Sequence, residues 1–377
     1  MNPFDPPKLA WHRLRHLIVL ALVAGLAWFL LESLLFRSGF YYRHLVEPQS
    51  NAGSTALVVR LARRNATLQP PTVLVFGDSR VGEGFSPAVA HDTAPGLNFI
   101  NVAVPGSMPR TWYYLLRAMD RKQVAFDVVV VGIVYSPSGS GDWADWSLDP
   151  ALTVPLLDLR DAREFPASFH DPWLRGRVSA AMWLPAILMQ KDVQSLLTAP
   201  LKRRRSLRRK RRWLDNIGNY RGRDAVMPEL AFGPDHRVLD WTGATAEQRA
   251  ALEQHLRILD QVPADNDAYA RHWMGKLLEL VRRHHASLVF YPLPRGPYAQ
   301  ILPPQPVAPP WLVALQHEPD VTVLAPDFLA DLEAPEYFFD ALHANSTARL
   351  ITSERVARAV VATMPDATTP AEVPPRP

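Results

Sequence analysis

Between Leu17 and Leu31 the chain carries no charged residue, and its apolar stretch runs on to Phe36 with Glu32 as the one charge. Twenty residues of helix rise about 30 Å, the thickness of a bilayer's hydrocarbon core. A helix apolar on every face for that length has few places to go in a soluble core. Residues 17–36 are therefore expected to form a transmembrane anchor. Lys8, Arg13 and Arg15 precede it, and over a similar window Arg37 and Arg43 follow it. That bias puts residues 1–16 in the cytoplasm and everything after about residue 40 outside it. Two alternatives stay open. One is a cleaved signal peptide, although no small-x-small site precedes the aromatic and charged stretch Trp28 to Tyr42. The other is a buried core helix.

The remaining chain is long enough for one large domain or two modest ones, and 48% of the 377 residues are hydrophobic. It contains no Cys, which excludes a disulfide framework, thiolate metal sites and a Cys nucleophile. Residues 37–70 read as a juxtamembrane connector with one short helix. A regular alternation follows, over a domain expected to span 71–364. Thr72–Phe76, Leu97–Val102, Val128–Val134, Ser287–Tyr291 and Val321–Leu324 are short apolar runs of the kind that form buried parallel strands. Thr111–Arg121, Tyr269–His285 and Ser346–Val361 have helical spacing. Strands and helices in this order predict an α/β fold: a five-stranded parallel sheet with helices on both faces, a three-layer sandwich. Residues 137–266 break the rhythm and are expected to be a mostly helical insertion on the rim where the strands end. The tail 365–377 holds five prolines and almost no large apolar residue, so it is expected to be disordered.

In a parallel sheet, ligands bind beyond the carboxyl ends of the strands. Two motifs fall there. Gly77-Asp78-Ser79-Arg80 directly follows the first strand, where a Ser is held at the mouth of the sheet and its N–H can donate to a developing oxyanion. Asp340-Ala-Leu-His343 precedes the last helix. A hydroxyl needs a base at neutral pH, and an imidazole base needs a carboxylate to fix its tautomer. Each motif alone is common loop composition. Their conjunction on one rim is the stronger signal.

Here the sequence resembles the SGNH-hydrolase (GDSL-like) superfamily, whose domain is flavodoxin-like. The resemblance rests on Val73-Leu-Val-Phe-Gly-Asp-Ser-Arg80 and Tyr337-Phe-Phe-Asp-Ala-Leu-His-Ala-Asn345, and covers roughly 72–135 and 267–361. It implies Ser79 as nucleophile, His343 as base and Asp340 as its orienting acid. It implies Gly106, in Asn101-Val-Ala-Val-Pro-Gly-Ser107, as an oxyanion donor beside Ser79, with Arg80 near the substrate. The family's third block is an Asn after the third strand. This chain has Tyr135 and Ser136 instead. Either one supplies a substitute hydrogen bond, or the hole has one donor fewer, a loss that typically costs about 10²–10³ in rate.

Membrane-anchored members of this type are similar to proteins of cell-envelope polysaccharide O-acylation. The resemblance therefore implies a periplasmic serine O-acyltransferase on the cytoplasmic membrane. It would act on an envelope polysaccharide, need no cofactor or metal, and receive its acyl group from an integral membrane acyltransferase. A carbohydrate esterase and a non-catalytic scaffold of the same complex are the alternatives.

Lys202 to Arg212 packs nine basic residues into eleven positions. In a cytosolic protein this would suggest nucleic acid. Outside the cytoplasm no nucleic acid is expected, and Arg203, Arg204, Arg205, Arg208, Arg209 and Arg211 are candidates for an anionic surface, lipid or polysaccharide; a solvated loop is the plain alternative. His284-His285, with no carboxylate or Cys nearby, is expected to be structural. Trp143, Trp146, Trp173 and Trp183 either stack on sugar rings or pack in the core.

Overall fold

The computed structural model describes residues 8–135, 141–216, 220–259, 264–302 and 306–364. Ser136, the side chain of Arg211 and the tail 365–377 lie outside the described residues.

Five strands, β1 (Thr72–Phe76), β2 (Asn98–Asn101), β3 (Val128–Ile133), β4 (Ser287–Pro292) and β5 (Val321–Val323), form one sheet in the order β2-β1-β3-β4-β5. Every neighbouring pair is parallel. The α-helices in chain order are α1 (Lys8–Glu32), α2 (Phe40–His44), α3 (Asn51–Asn65), α4 (Ser79–Gly84), α5 (Pro87–Thr93), α6 (Pro109–Asp120), α7 (Asp149–Thr153), α8 (Glu164–Ala167), α9 (Pro172–Trp183), α10 (Ala186–Thr198), α11 (Pro200–Asn216), α12 (Ala246–Leu259), α13 (Asp267–Arg283), α14 (Pro310–Leu315) and α15 (Ser346–Ala362).

The sheet buries both faces, which is why its strands read as unbroken Val-rich runs rather than alternating ones. Every residue of β1 and β3 is buried. Successive side chains still point to opposite sides. Leu74, Phe76, Val129, Val131, Leu288 and Phe290 pack into one cluster with residues of α3, α6, α13 and α14. Val73, Val75, Val128, Val130 and Val289 pack into a second with Val81 of α4, Ala90 of α5 and Val356, Ala357 and Val360 of α15. Each fully buried Val, Leu or Phe contributes roughly 1.5–3 kcal/mol relative to leaving it exposed. The strands expected from the sequence and the helices 109–120, 267–283 and 346–362 are all present, within a few residues of their expected ends.

The segment after α1 is more than a connector. Val58, Val59, Leu61 and Ala62 of α3 belong to the first core cluster. Their spacing puts them on one helical face, which packs beside α6. The connector is thus built into the domain.

Among the described residues one helix is long and apolar enough to cross a bilayer: Leu14–Arg37, with a mean hydropathy of 2.3 and only 6% of its most apolar window buried. Its end is held by the domain. Glu32 is buried and accepts a hydrogen bond from the N–H of Ala186, at the start of α10, at 3.1 Å. Arg37 donates to the carbonyls of Met182 and Trp183.

Candidate active site

β1 ends at Phe76, and the chain turns at Gly77. A Cβ there would lie 2.2 Å from Val81 Cγ2, so the turn into α4 needs glycine. Asp78 caps α4, accepting from the N–H of Arg80 at 2.9 Å, the role in which Asp is favoured. Ser79 is therefore the first helical residue, at the carboxyl end of β1. The far end of α4 is fixed through its carbonyls. Asn101 donates to Val81 and Phe85, and Arg349 of α15 donates to Gly82 and Glu83. These side chains satisfy carbonyls that a helix end leaves without partners.

The second motif lies in a tight loop closed by a bridge between Phe338 and Ala344 and by Asn345, which caps α15. Asp340 Oδ1 accepts the N–H groups of Leu342 at 2.9 Å and His343 at 2.8 Å. The same carboxylate faces His343 Nδ1 at 2.9 and 3.0 Å. His343 Nε2 is 2.8 Å from Ser79 Oγ. A carboxylate at Nδ1 fixes the proton there and leaves Nε2 as the acceptor for the Ser79 hydroxyl. Burial pushes the Asp340 carboxyl up, but the His343 hydrogen bond and charge and the two N–H donors outweigh it and hold it below the usual carboxylate range. It is ionised at neutral pH. The His343 and Asp340 side chains keep 22% and 24% of their surface exposed, so a substrate can reach them. The arrangement can take a proton from Ser79 and hold the resulting imidazolium.

Three further residues at this rim were not singled out in the sequence. The Phe339 ring lies 5.5 Å from that of His343 and within 9° of parallel. Arg223 places its guanidinium carbon 4.5 Å from the centre of the Phe339 ring. His255 of α12 is 7% exposed, and among the described residues its Nε2 has no hydrogen-bond partner. Burial pushes the His255 imidazole down to about 4; the charge of Arg80 adds to this and that of Asp340 opposes it. In the unfolded chain the same group takes its proton near pH 6.5. His255 thus costs nothing above that pH, and its unfavourable contribution grows as pH falls from about 6.5 to about 4, reaching about 3 kcal/mol. Thermal unfolding of the wild type should fall away from that of His255→Gln across this window. Parallel curves would contradict the assignment.

The other predicted residues divide. Pro105 and Gly106 occupy the centre of a turn closed by Ser107 N–H to Val104 O at 3.1 Å, with Gly106 at φ +70°. Pro then Gly at these two places is the pattern of a type II turn, where positive φ favours glycine. Trp146 donates to the Gly106 carbonyl at 2.8 Å, and Ser107 Oγ donates to the Gly77 carbonyl at 3.1 Å. The two loops are thereby tied together, and among the described residues the N–H groups of Ser79 and Gly106 donate to no protein acceptor. Arg80 folds back on Asp78, with Nε 3.0 and 3.2 Å from its two oxygens. Burial pushes the Asp78 carboxyl up, and Arg80 more than reverses it. Tyr135 is fully buried, and its hydroxyl points 3.5 Å from the carbonyl of Leu324, next to β5. Burial pushes that phenol well up. Any bond from Tyr135 to a substrate would come from its backbone.

The basic run is helical, so its side chains cannot share one environment. Arg204, Arg205, Arg208 and Arg209 are exposed. Arg203 is a correction to the anionic-surface reading. It is 2% exposed, pairs with Asp192 at 3.0 Å and Glu47 at 3.1 Å, and donates to the Leu45 carbonyl. Among the tryptophans, Trp146 holds the Gly106 turn, Trp143 packs edge-on to Tyr269, and Trp173 and Trp183 are exposed. His284 does have a carboxylate nearby: Asp120 Oδ1 lies 2.8 Å from its Nε2, and the ring packs on Phe126. Asp142, Asp145 and His170 lie close enough to share a cation, but Asp145 already accepts the N–H groups of His170 and Asp171. No family model matches this chain, and neither does any curated protein.

Proposed function

We propose that this chain is a membrane-anchored serine O-acyltransferase or esterase of the SGNH-hydrolase type, its domain a three-layer sandwich facing the periplasm, acting on a cell-envelope glycan. The observation that carries the chemistry is the 2.8 Å contact between Ser79 Oγ and His343 Nε2, made across 264 residues of sequence with Asp340 already on the other ring nitrogen. A chance surface serine would have no reason to meet a base so oriented. The membrane-spanning length of α1 and the bias of basic residues before it support the location.

In this reading His343 Nε2 takes the Ser79 proton as Oγ attacks the carbonyl carbon of an acyl donor. The oxyanion that forms is met by the N–H groups of Ser79 and Gly106. The imidazolium then returns its proton to the leaving oxygen, and the acyl group remains on Ser79. A sugar hydroxyl attacks next, giving its proton to His343; the new ester leaves and Ser79 recovers its proton. Water in place of the sugar gives the esterase. Exclusion of water from the acyl-enzyme decides between the two. The donor is an acyl group handed over by an integral membrane acyltransferase, as the family resemblance implies.

The test is direct. A fluorophosphonate probe should add one phosphonyl group to the intact protein, seen by mass spectrometry, and Ser79→Ala should take none. Labelling that survives Ser79→Ala, or a wild type that is never labelled, overturns the assignment of Ser79 as nucleophile.

A further inference from the structure

A large cavity lies away from Ser79. It has a volume of about 1040 Å³ and sits where the end of α1 meets the domain. The later turns of α3 and the last turn of α6 line it. Both helices lead back toward the amino ends of β1 and β3, whereas Ser79 stands at the carboxyl end.

Among the described residues eight Arg and Lys side chains line the cavity, against a single carboxylate, Asp158. Asp158 already pairs with Arg121 at 2.9 Å. Among the described residues Arg43, Arg63, Arg204, Arg208 and Lys210 form no ion pair. Lys210 is the most telling of them. It is 6% exposed, and among the described residues its Nζ has no hydrogen-bond partner. A buried ammonium without a partner is costly, and the cost is relieved by a counter-charge. Burial, with the charge of Arg60 adding to it and that of Glu47 opposing it, pushes Lys210 down to about 8. An anion beside it would reverse that. Arg203, in the same run, shows the contrast: its charge is paired internally with Asp192 and Glu47. The cavity also has an apolar wall, including Phe36, Val59, Leu156 and Met182. Its lining includes Phe36 to Gly39, just after α1, whose apolar sides are exposed along its length.

A ligand that fits all of this has an anionic head, an apolar remainder and access from a bilayer. We propose that the cavity binds the phosphate headgroup of an anionic phospholipid, with its acyl chains running back along α1. Arg and Lys hold phosphate through charge-assisted hydrogen bonds, Arg in pairs and Lys as a point charge. The proposal rests on α1 as a membrane anchor and is independent of the chemistry at Ser79. It divides the basic helix into Arg203, which holds the fold, and Arg204, Arg208 and Lys210, which hold the lipid.

The test uses the full-length protein in a neutral detergent. Dioctanoyl phosphatidylglycerol should raise the unfolding temperature in a saturable way, and dioctanoyl phosphatidylcholine should not. Lys210→Gln and the pair Arg204→Gln/Arg208→Gln should each weaken the phosphatidylglycerol response at least tenfold. Each variant's unfolding without lipid shows that it is folded; should Lys210→Gln fail that check, the exposed pair decides. The response should also weaken as salt rises. An equal response to inorganic phosphate at the same concentration would make the site one for free phosphate and overturn the lipid assignment. So would an equal response to phosphatidylcholine, or folded variants that bind like the wild type. Carbonate-resistant membrane association of the same chain reads the anchor separately, so its failure is distinguishable from failure of the cavity.

Discussion

Ser79→Ala and His343→Ala should each lower acyl transfer by on the order of 10⁴–10⁶, and the double variant should be little worse than either single one. In the proposed mechanism the three residues act on one proton, so losing any of them removes most of what the set does. Asp340→Asn should retain the most activity, because the nucleophile and base remain and only the tautomer and the imidazolium's counter-charge are lost; about 10⁴ is the expected cost. None of the variants should unfold the domain. Ser79, His343 and Asp340 are only partly buried; Asp78, Asn101 and Arg349 fix α4, and the Tyr337–Asn345 loop is held by Asn345 and by Asp340 Oδ1, an acceptor that Asp340→Asn retains. The measurement is glycan acylation in cells carrying each variant, beside thermal unfolding of the purified proteins. If Ser79→Ala acylates normally while deletion of the whole protein abolishes acylation, the protein is a scaffold and the enzyme reading is wrong.

The site is legible in the sequence because the sheet positions it. Short Val-rich runs with no polar alternation read as strands buried on both faces, and parallel order forces the loops after them to one edge. Ser79, after β1, and His343, after β5, fall on that edge. What the sequence did not show lies in contacts made by residues 137–266. Nothing in an isolated Arg223 tells that it will sit on Phe339, or in His255 that it will be buried near Arg80 and Asp340, because both depend on how α12 and its neighbours fold back over the rim. The basic run shows the same limit in reverse. Its composition suggests one solvated surface, but a helix turns each residue about 100° from the last, so Arg203 and Lys210 face inward while Arg204 and Arg208 do not.

The insertion is also where the largest loss of stability is expected. Arg110, in the first turn of α6 and four residues beyond Gly106, is wholly buried. Its Nε donates to Asp149 at 2.5 Å, Nη1 to the carbonyl and hydroxyl of Ser168 at 3.0 and 2.9 Å, and Nη2 to the Ala144 carbonyl at 2.9 Å. Its guanidinium carbon lies 3.7 Å from the centre of the Phe169 ring. Asp149 also accepts from Thr111. One side chain thus ties residues 144, 149 and 168 to the helix that follows the Gly106 turn. Arg110→Met leaves Asp149 charged and buried without its counter-ion, and breaking such a pair from one side costs about 3–5 kcal/mol. For a domain of this size that is on the order of 10 °C in the unfolding midpoint. Arg110→Lys should recover only a fraction, since an ammonium cannot donate in three fixed directions at once. Arg110→Met combined with Asp149→Leu should be more stable than Arg110→Met alone, because no charge is then stranded. Fluorophosphonate labelling of Arg110→Met should be slower even below its unfolding midpoint, since Trp146, which holds the Gly106 carbonyl, lies between Ala144 and Asp149. An Arg110→Met protein within about 1 kcal/mol of the wild type would show that the insertion is not fastened here. A destabilised variant that labelled at the wild-type rate would instead separate the fastening from the site and leave the Gly106 turn to stand on Ser107 and Pro105 alone.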